Sequence, residues 1–436
     1  EYQIECRRLL NKDASWVISR RYNDFYLLNK KLSSFGLELG LPRKKYFGNT
    51  DEGFLRERRQ YLQQFLDTIT IHPLMYYSPY VVEFLESADG HSLKEYEEWT
   101  LVSIRNRRQY SLIRHWPGCS WRFSKIYALI KRENAYQDVL SWMAYGVDRV
   151  GTDSELHDAL QFLNTLHCPY LCENLYSWAD EKGIGVIRNL FAEGSLRDRL
   201  YKCTPEGEFM QKYGMENDCF TLNNIDVRFI ARQVLEALSI LLSISFPFID
   251  IHCGNIRVTD LGCELMDYEF ALSGQSNFNR PAMIRSSSVH SIEDMMVFNF
   301  GCFIHEMISG FLVFPSHSPE EAIRKCPQQF HSILRMIFAP DDNKMPSIRE
   351  LLENELFSDV TIVRMSQKEI KIPMRVKNLF EAASQEILSR FEKYKKTFNV
   401  KLKVEKMQRF LDSEPEKLRR KKIVMEQLEL SRSAVQ

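Results

Sequence analysis

The sequence predicts an α+β protein in three parts: a small antiparallel sheet with helices over residues 1–90, a two-lobed unit over 95–358, and a helical basic tail over 359–436. Three observations predict it. Short strand-like runs at the start give way to a helical apolar period within thirty residues. Alternating apolar residues through 121–130 and 138–145 precede long helical stripes, the order of a small sheet lobe before a large helical one. The end of the chain is polar, with Val376, Phe380, Ala383, Ile387, Phe391 and Phe398 at helical spacing.

Composition narrows the function classes. At 436 residues, 44% apolar and 12% aromatic, the chain has material for two or three real cores. Lys+Arg and Asp+Glu balance at 58 each, which excludes a global pull toward nucleic acid; an anionic partner must be met by a local cluster. The ten cysteines include no C-x-x-C pair. Cys168 and Cys172 come nearest, and all ten are expected as packed thiols in a reducing cytosol, with no metal site. No signal peptide opens the chain, which starts at Glu1 in strand-like sequence, so a native N-terminus is expected to precede it. The longest apolar run, 237–249, is interrupted by Ser and Pro and is too short to span a bilayer. Membrane contact is expected to be peripheral.

In the first part, residues 2–6 and 15–18 read as strands around an Asn-Lys-Asp turn. Arg20-Arg21-Tyr22-Asn23-Asp24-Phe25 follows, then a helical period through Leu27, Leu28 and Leu32. Leu41-Pro42-Arg43-Lys44-Lys45 comes next, and then a helix bearing Arg56, Arg58 and Arg59, with Leu55, Leu62, Phe65 and Leu66 on its buried side. Residues 1–90 hold 13 Lys+Arg against 12 Asp+Glu, so the charge is focused rather than general. These three clusters resemble the PX (phox-homology) domain: its R-R-Y-S-x-F run, with Asn23 for Ser, its Pro-x-Lys loop and its E-R-R-x-x-L helix. The resemblance implies a phosphoinositide pocket. Arg21 would hold the 3-phosphate, Tyr22 pack on the sugar ring, Lys44 meet the 1-phosphate and Arg58 the 4- and 5-hydroxyls. A planar Arg fork, a mobile Lys charge and a rigid Tyr face suit that ligand. Leu37, Leu39, Leu41, Tyr46 and Phe47 beside the loop are expected to dip into the interface. The alternative for any one cluster is an ordinary solvated face.

In the second part, Asp250 stands five residues before Asn255 and seventeen before Asp267. This resembles the protein-kinase catalytic core, in which H-R-D-x-x-x-x-N and D-F-G supply a base and two Mg²⁺-holding residues. Asp250 would be the base, and Asn255 and Asp267 the Mg-ATP ligands. The surroundings depart from the pattern: Phe248-Ile249 replaces His-Arg, His252 the loop Lys, and Tyr268-Glu269 Phe-Gly. Gly118 alone remains of the glycine-rich loop, where Trp121 and Phe123 would fill the phosphate space. Residues 139–142, Val-Leu-Ser-Trp, align with V-A-I-K and put Trp142 in place of the lysine. Ala159 falls where its Glu partner belongs, with Glu155 or Asp158 if the register slips. The large lobe reads more plainly. Residues 190–200 resemble the hinge and the helix after it, and Asn224 is expected to cap a helix striped by Val227, Ile230, Val234, Leu238, Leu241 and Leu242. Residues 297–310 resemble the buried central helix, with Met296 where that helix normally anchors the catalytic loop. Residues 346–357 resemble the closing helices. No A-P-E motif follows Asp267, and Ser286, Ser287 and Ser288 are read as a polar loop or phosphorylation sites.

In the tail, Lys417-Leu-Arg-Arg-Lys-Lys422 is a basic run, read as a solvated face before an anionic membrane or actin-like surface. The apolar stripe is expected on the large lobe or in a partner groove. The whole resembles the family of kinase-like proteins with a PX domain, supported by Phe209-Met-Gln-Lys212-Tyr213 and Leu356-Phe357-Ser-Asp-Val360. A channel-binding scaffold with the same degenerate kinase domain is a second relative. The family implies phosphatidylinositol 3-phosphate or a related lipid, recruitment from the cytoplasm to endosomal and plasma membranes, effects on receptor trafficking, and the Na,K-ATPase β subunit as client. Its proline-rich, actin-binding region has no counterpart in this sequence, so actin is not carried over. The expectation is a non-catalytic adaptor that requires no cofactor. The alternative is a weak Ser/Thr protein kinase binding Mg-ATP, with Asp250 as base.

Overall fold

The computed structural model describes residues 1–7, 15–33, 39–42, 52–71, 73–76, 78–85, 93–116, 120, 122, 124–132, 137–213, 219–260, 262–313, 318–365 and 370–433. The Asn-Lys-Asp turn, Leu37, Lys44, Tyr46, Phe47, Gly118, Cys119, Trp121 and Phe123 lie outside them.

Strands β1 (Tyr2–Arg7) and β2 (Ser15–Arg20) pair antiparallel with Ile4 opposite Ile18. Helix α1 (Tyr22–Leu32) turns Phe25, Leu28 and Leu32 inward, as period 3.6 requires, while Leu27 faces out. Helices α2 (Glu52–Ile71), α3 (Pro73–Tyr76) and α4 (Pro79–Leu85) close the core. Phe25 lies at its centre, edge-on to Phe65 at 6.0 Å and Phe84 at 5.0 Å. The inward face of α2 differs from the expected one. Leu55 is exposed, and Arg58 is buried with Leu62, Phe65 and Leu66.

Helix α5 (Leu93–Arg105) precedes a five-stranded sheet made of β3 (Tyr110–Trp116), β4 (Lys125–Arg132), β5 (Gln137–Ala144), β6 (Tyr176–Ala179) and β7 (Gly183–Asn189), in the order β3-β4-β5-β7-β6. Helix α6 (Asp153–Leu163) connects β5 to β6. Strand alternation sorts the side chains. Ala128, Leu140, Trp142 and Ile187 pack outward with Tyr96 and Ile104 of α5, whereas Met143, Ile184 and Val186 pack with α6 and the large lobe. Trp142 and Trp178 are both paired opposite Gly185, and a Cβ there would come within 2.1 Å of the Trp178 ring. Glycine is what lets two indoles lie over one strand.

The large lobe runs through α7 (Leu196–Leu200), α8 (Phe209–Tyr213) and α9 (Asn224–Ser243), then the hairpin β8 (Ile256–Thr259)–β9 (Gly262–Leu265) and α10 (Arg280–Met283). Helix α11 (Ile292–Ser309) is followed by α12 (Pro319–Arg324), α13 (His331–Phe338) and α14 (Ile348–Leu352). The cap of α9 is Asn223 rather than Asn224, its side chain accepting from the Ile225 and Asp226 amides at 3.0 and 2.9 Å. Helix α11 is buried on all sides from Met295 to Ile308, with Asn299, His305 and Glu306 set among apolar side chains, and ends at Gly310 with φ 73°.

The tail forms α15 (Met374–Asp412) and α16 (Glu414–Ser433). Val376, Leu379, Phe380, Ala383 and Phe391 are buried. The helix packs on both lobes rather than the large one alone: Phe380 meets Phe162 of α6 at 6.3 Å and Phe246 of the large lobe at 4.9 Å. Arg375 reaches Asp158 at 2.6 Å and Arg390 reaches Asp148 at 3.1 Å. The first module meets the rest through an apolar seam, Phe209, Tyr213 and Phe278 joining its core, through the Tyr80 hydroxyl, which donates to Glu208 at 2.9 Å, and through Asp67, 3.6 Å from Lys401. Among the described residues no helix is long and apolar enough to cross a membrane.

Candidate functional site

The first site lies where β2 meets α1. Arg21 is extended (φ −87°, ψ 158°), and its amide donates to the Asp24 carboxylate at 2.6 Å. Its guanidinium stays 75% exposed, against Glu1 at 3.0 Å. Arg20 has another job. Its Nε donates to the Phe84 carbonyl at 2.9 Å and its plane stacks on that ring, which ties β2 to α4. The Tyr22 hydroxyl donates to the Pro42 carbonyl, so its ring is held flat.

Arg58 reaches this ring from α2. Its guanidinium sits 4.4 Å from the Tyr22 ring centre and 4.2 Å from that of Phe54. Only 7% of the residue is exposed, and Nε and Nη2 have no hydrogen-bond partner among the described residues. Among the described residues no carboxylate faces it. A buried cation with unmet donors is costly, and stacking between two aromatic faces offsets only part of that cost. Guanidinium donors are of the kind that suit an anionic or hydroxyl-rich ligand. Arg21, Tyr22 and Arg58 thus gather at one end of the module. Leu39 and Leu41 pack into the core instead of standing free to enter a bilayer.

The second site is the cleft between the lobes. Asp267 adopts φ 61°, ψ 15° at the end of the β9 turn. One of its oxygens accepts from Arg188 Nη1 at 2.7 Å, and the other accepts from Lys125 Nζ and from the Tyr127 hydroxyl at 3.1 Å. Arg188 also bonds Glu269, which is fully buried and further held by Asn174. Asp250 accepts from Arg122 Nη2 at 2.8 Å and from the Phe278 amide at 2.8 Å. Asn255 donates to the Asp250 carbonyl and accepts from the His252 amide at 3.1 Å. Three anions are therefore matched by three cations of the same chain. Asp250 and Asp267 share a cavity of about 40 Å³, room for a few water molecules.

Several expectations need correction. Trp142 does not stand in the lysine position. It faces α5 on the outer side of the sheet, 6.4 Å from Trp99, so the V-A-I-K alignment is one residue out, and Ser141 and Met143 lie on the inner side. A one-residue offset on a strand exchanges its faces. The cations of the cleft come instead from β4 and β7 and from Arg122. None of the three residues considered on α6 serves as their partner. Ala159 is core, Glu155 closes a capping box with Thr152, and Asp158 holds Arg375. Met296 is buried, and the anchor for the catalytic loop is Glu306. It accepts from the Cys253 amide at 3.2 Å and pairs with Arg197 at 2.6 Å.

Burial pushes the Asp267 carboxyl up, but Lys125 and then Arg188 outweigh it and hold the group below the usual carboxylate range. His252 is driven well below its ordinary value by burial and by Arg197, Lys125 and Arg122, so it stays neutral; its Nδ1 accepts from the Gly254 amide at 3.0 Å. Among the described residues no three His, Cys, Asp or Glu side chains gather as metal ligands.

The PX-domain family model matches residues 8–88. Over 405 residues, 91% of this chain and 69% of the relative, the sequence is 29% identical to PX domain-containing protein kinase-like protein of Mus musculus. It is 29% identical over 188 residues to "Probable inactive serine/threonine-protein kinase slob2" of Dictyostelium discoideum, 42% of this chain and 32% of that one. Over 89 residues it is 36% identical to Sorting nexin-13 of Homo sapiens, 19% of this chain and 9% of that one.

Proposed function

We propose that this chain, a PX domain followed by a kinase-like fold and C-terminal helices, is a peripheral-membrane adaptor that binds a phosphoinositide and regulates a membrane-protein client. Phosphatidylinositol 3-phosphate is the lipid that Arg21, Tyr22, Lys44 and Arg58 would take, at endosomal or plasma membrane. The client class is a pump or trafficking receptor, with the Na,K-ATPase β subunit as the named candidate. The reading is carried by one contrast. The cleft cations Lys125, Arg188 and Arg122 are each turned onto a carboxylate, whereas Arg58 is buried with none among the described residues. A Mg²⁺–nucleotide would have to strip both cations from Asp267 before coordinating it. On this reading Asp250, Asn255 and Asp267 serve the fold in place of Mg-ATP chemistry.

The test pairs two measurements. Wild type should pellet with phosphatidylcholine vesicles containing phosphatidylinositol 3-phosphate, and Arg21→Ala should weaken this by about tenfold, the worth of a charge-assisted hydrogen bond. Mg-ATP should leave the melting temperature unchanged. Equal pelleting of the two proteins would refute the pocket. A Mg-dependent rise in melting temperature that Asp267→Asn removes would refute the adaptor reading in favour of a weak Ser/Thr kinase.

A further inference from the structure

We infer that the far half of α15 and the start of α16 form a second membrane-contact element, one that recognises an anionic lipid surface irrespective of headgroup. It rests on the peripheral-membrane reading but uses none of the PX pocket. Beyond Phe398, α15 leaves the lobes, and Val400, Val404, Met407 and Leu411 recur at i, i+4, i+7 and i+11 on one face. Val400 is 61% exposed, Met407 58% and the adjoining Phe410 59%. Val404 is exposed as well, and Leu411 at the end of the stripe is half-buried. From residue 401 to 422 there are nine Lys or Arg against four Asp or Glu, in a chain whose total charge is zero. In α16 the basic run Lys417–Lys422 stands beside exposed Leu418, Ile423 and Met425.

An exposed apolar stripe flanked by basic side chains suits the boundary of an anionic bilayer, where rings and aliphatic chains enter and the charges meet phosphate. A protein groove with an apolar floor and an acidic rim would also take such a face, and what favours the bilayer is where the face lies. Position supports the same occupant. Lys401 lies 3.6 Å from Asp67 of α2, the helix that carries Arg58, so the stripe begins where the lipid-binding module ends. One lipid headgroup gives weak, reversible attachment, and a tethered second contact multiplies it.

The experiment uses the full chain with vesicles of phosphatidylcholine alone, with phosphatidylserine, or with phosphatidylinositol 3-phosphate. The proteins are wild type, Arg58→Met, a Val404→Asp/Met407→Asp double variant, and a variant with Lys417, Arg419, Arg420, Lys421 and Lys422 all changed to Gln. Each basic side chain raises partitioning to an anionic surface by about fivefold. Wild type and Arg58→Met should therefore bind phosphatidylserine vesicles alike, and both tail variants should lose at least about tenfold. Tail variants should still respond to phosphatidylinositol 3-phosphate; if no protein does, the PX reading fails while this one stands. Unchanged phosphatidylserine binding by the tail variants would overturn the proposal. So would a dimeric wild type that becomes monomeric in the Val404→Asp/Met407→Asp variant without any change in vesicle binding, which would make the stripe a self-association face.

Discussion

Replacing Arg188 by Met is expected to cost about 3–5 kcal/mol of stability, the range for breaking one side of a buried ion pair. The side chain is 2% exposed and spans Asp267 and Glu269, and Glu269 is wholly buried. Without the guanidinium, Glu269 retains Asn174 as its partner and Asp267 retains Lys125 and Tyr127. Glu269→Gln added to Arg188→Met should recover part of the loss, because the stranded charge goes with it. The acid limb follows with a definite sign. Asp267 has a folded-state pKa below its unfolded value of 3.8, so its contribution is full above pH 3.8 and disappears as pH falls toward the folded value. Removing Arg188 weakens that depression, and acid unfolding should begin at higher pH. Urea unfolding read by tryptophan fluorescence measures both. The exposed pair Arg349–Glu353 is the control, with an effect of about 0.5 kcal/mol or less. A loss under about 1 kcal/mol for Arg188→Met would show that the network does not hold the lobes.

Arg58→Met should move lipid binding and stability in opposite directions. The substitution keeps an apolar stem between Tyr22 and Phe54 and removes a charge that faces no carboxylate among the described residues. Binding to phosphatidylinositol 3-phosphate vesicles should fall by about tenfold to a hundredfold, since charged donors in a low-dielectric site are worth about 1.5–3 kcal/mol each. Folding should be unimpaired, or improved by up to about 1 kcal/mol, because a buried unpaired ion strains the free protein. Vesicle pelleting and thermal melting on the same preparation test the two halves. A variant that binds normally, or that melts much earlier, would make Arg58 a packing residue only.

What could be read in advance depended on whether the signal was local. The helix and strand periods around Phe25, Leu28 and Leu32 were legible, and so was the spacing of Asp250, Asn255 and Asp267, because neighbours along the chain carry them. The orientation of Trp142 was not. On a strand buried from both sides apolar residues occupy both faces, so the pattern does not choose between registers. Lys125 and Arg188 gave no hint of their role, since Asp267 lies 142 and 79 residues away from them. Glu306 hid for the same reason, 53 residues from the amide it secures. Arg58 stood inside a recognisable motif, yet its burial depends on Tyr22 and Phe54 converging from two helices. Leu55 was misplaced because a cation took the inward position that apolar spacing reserves for a leucine.

The long helix has a practical corollary for anyone dividing the molecule. Phe380, Leu379 and Phe391 fill a trough shared by α6 and the large lobe, while Lys395 donates to the Val289 carbonyl at 3.0 Å. A fragment ending at residue 358 would therefore lay bare a greasy channel, leave Asp158 without Arg375, and leave Asp148 with Arg280 alone of its two arginines. A kinase-like fragment should therefore be carried through Phe398, and a protease that trims the chain from its C-terminal end should stall there.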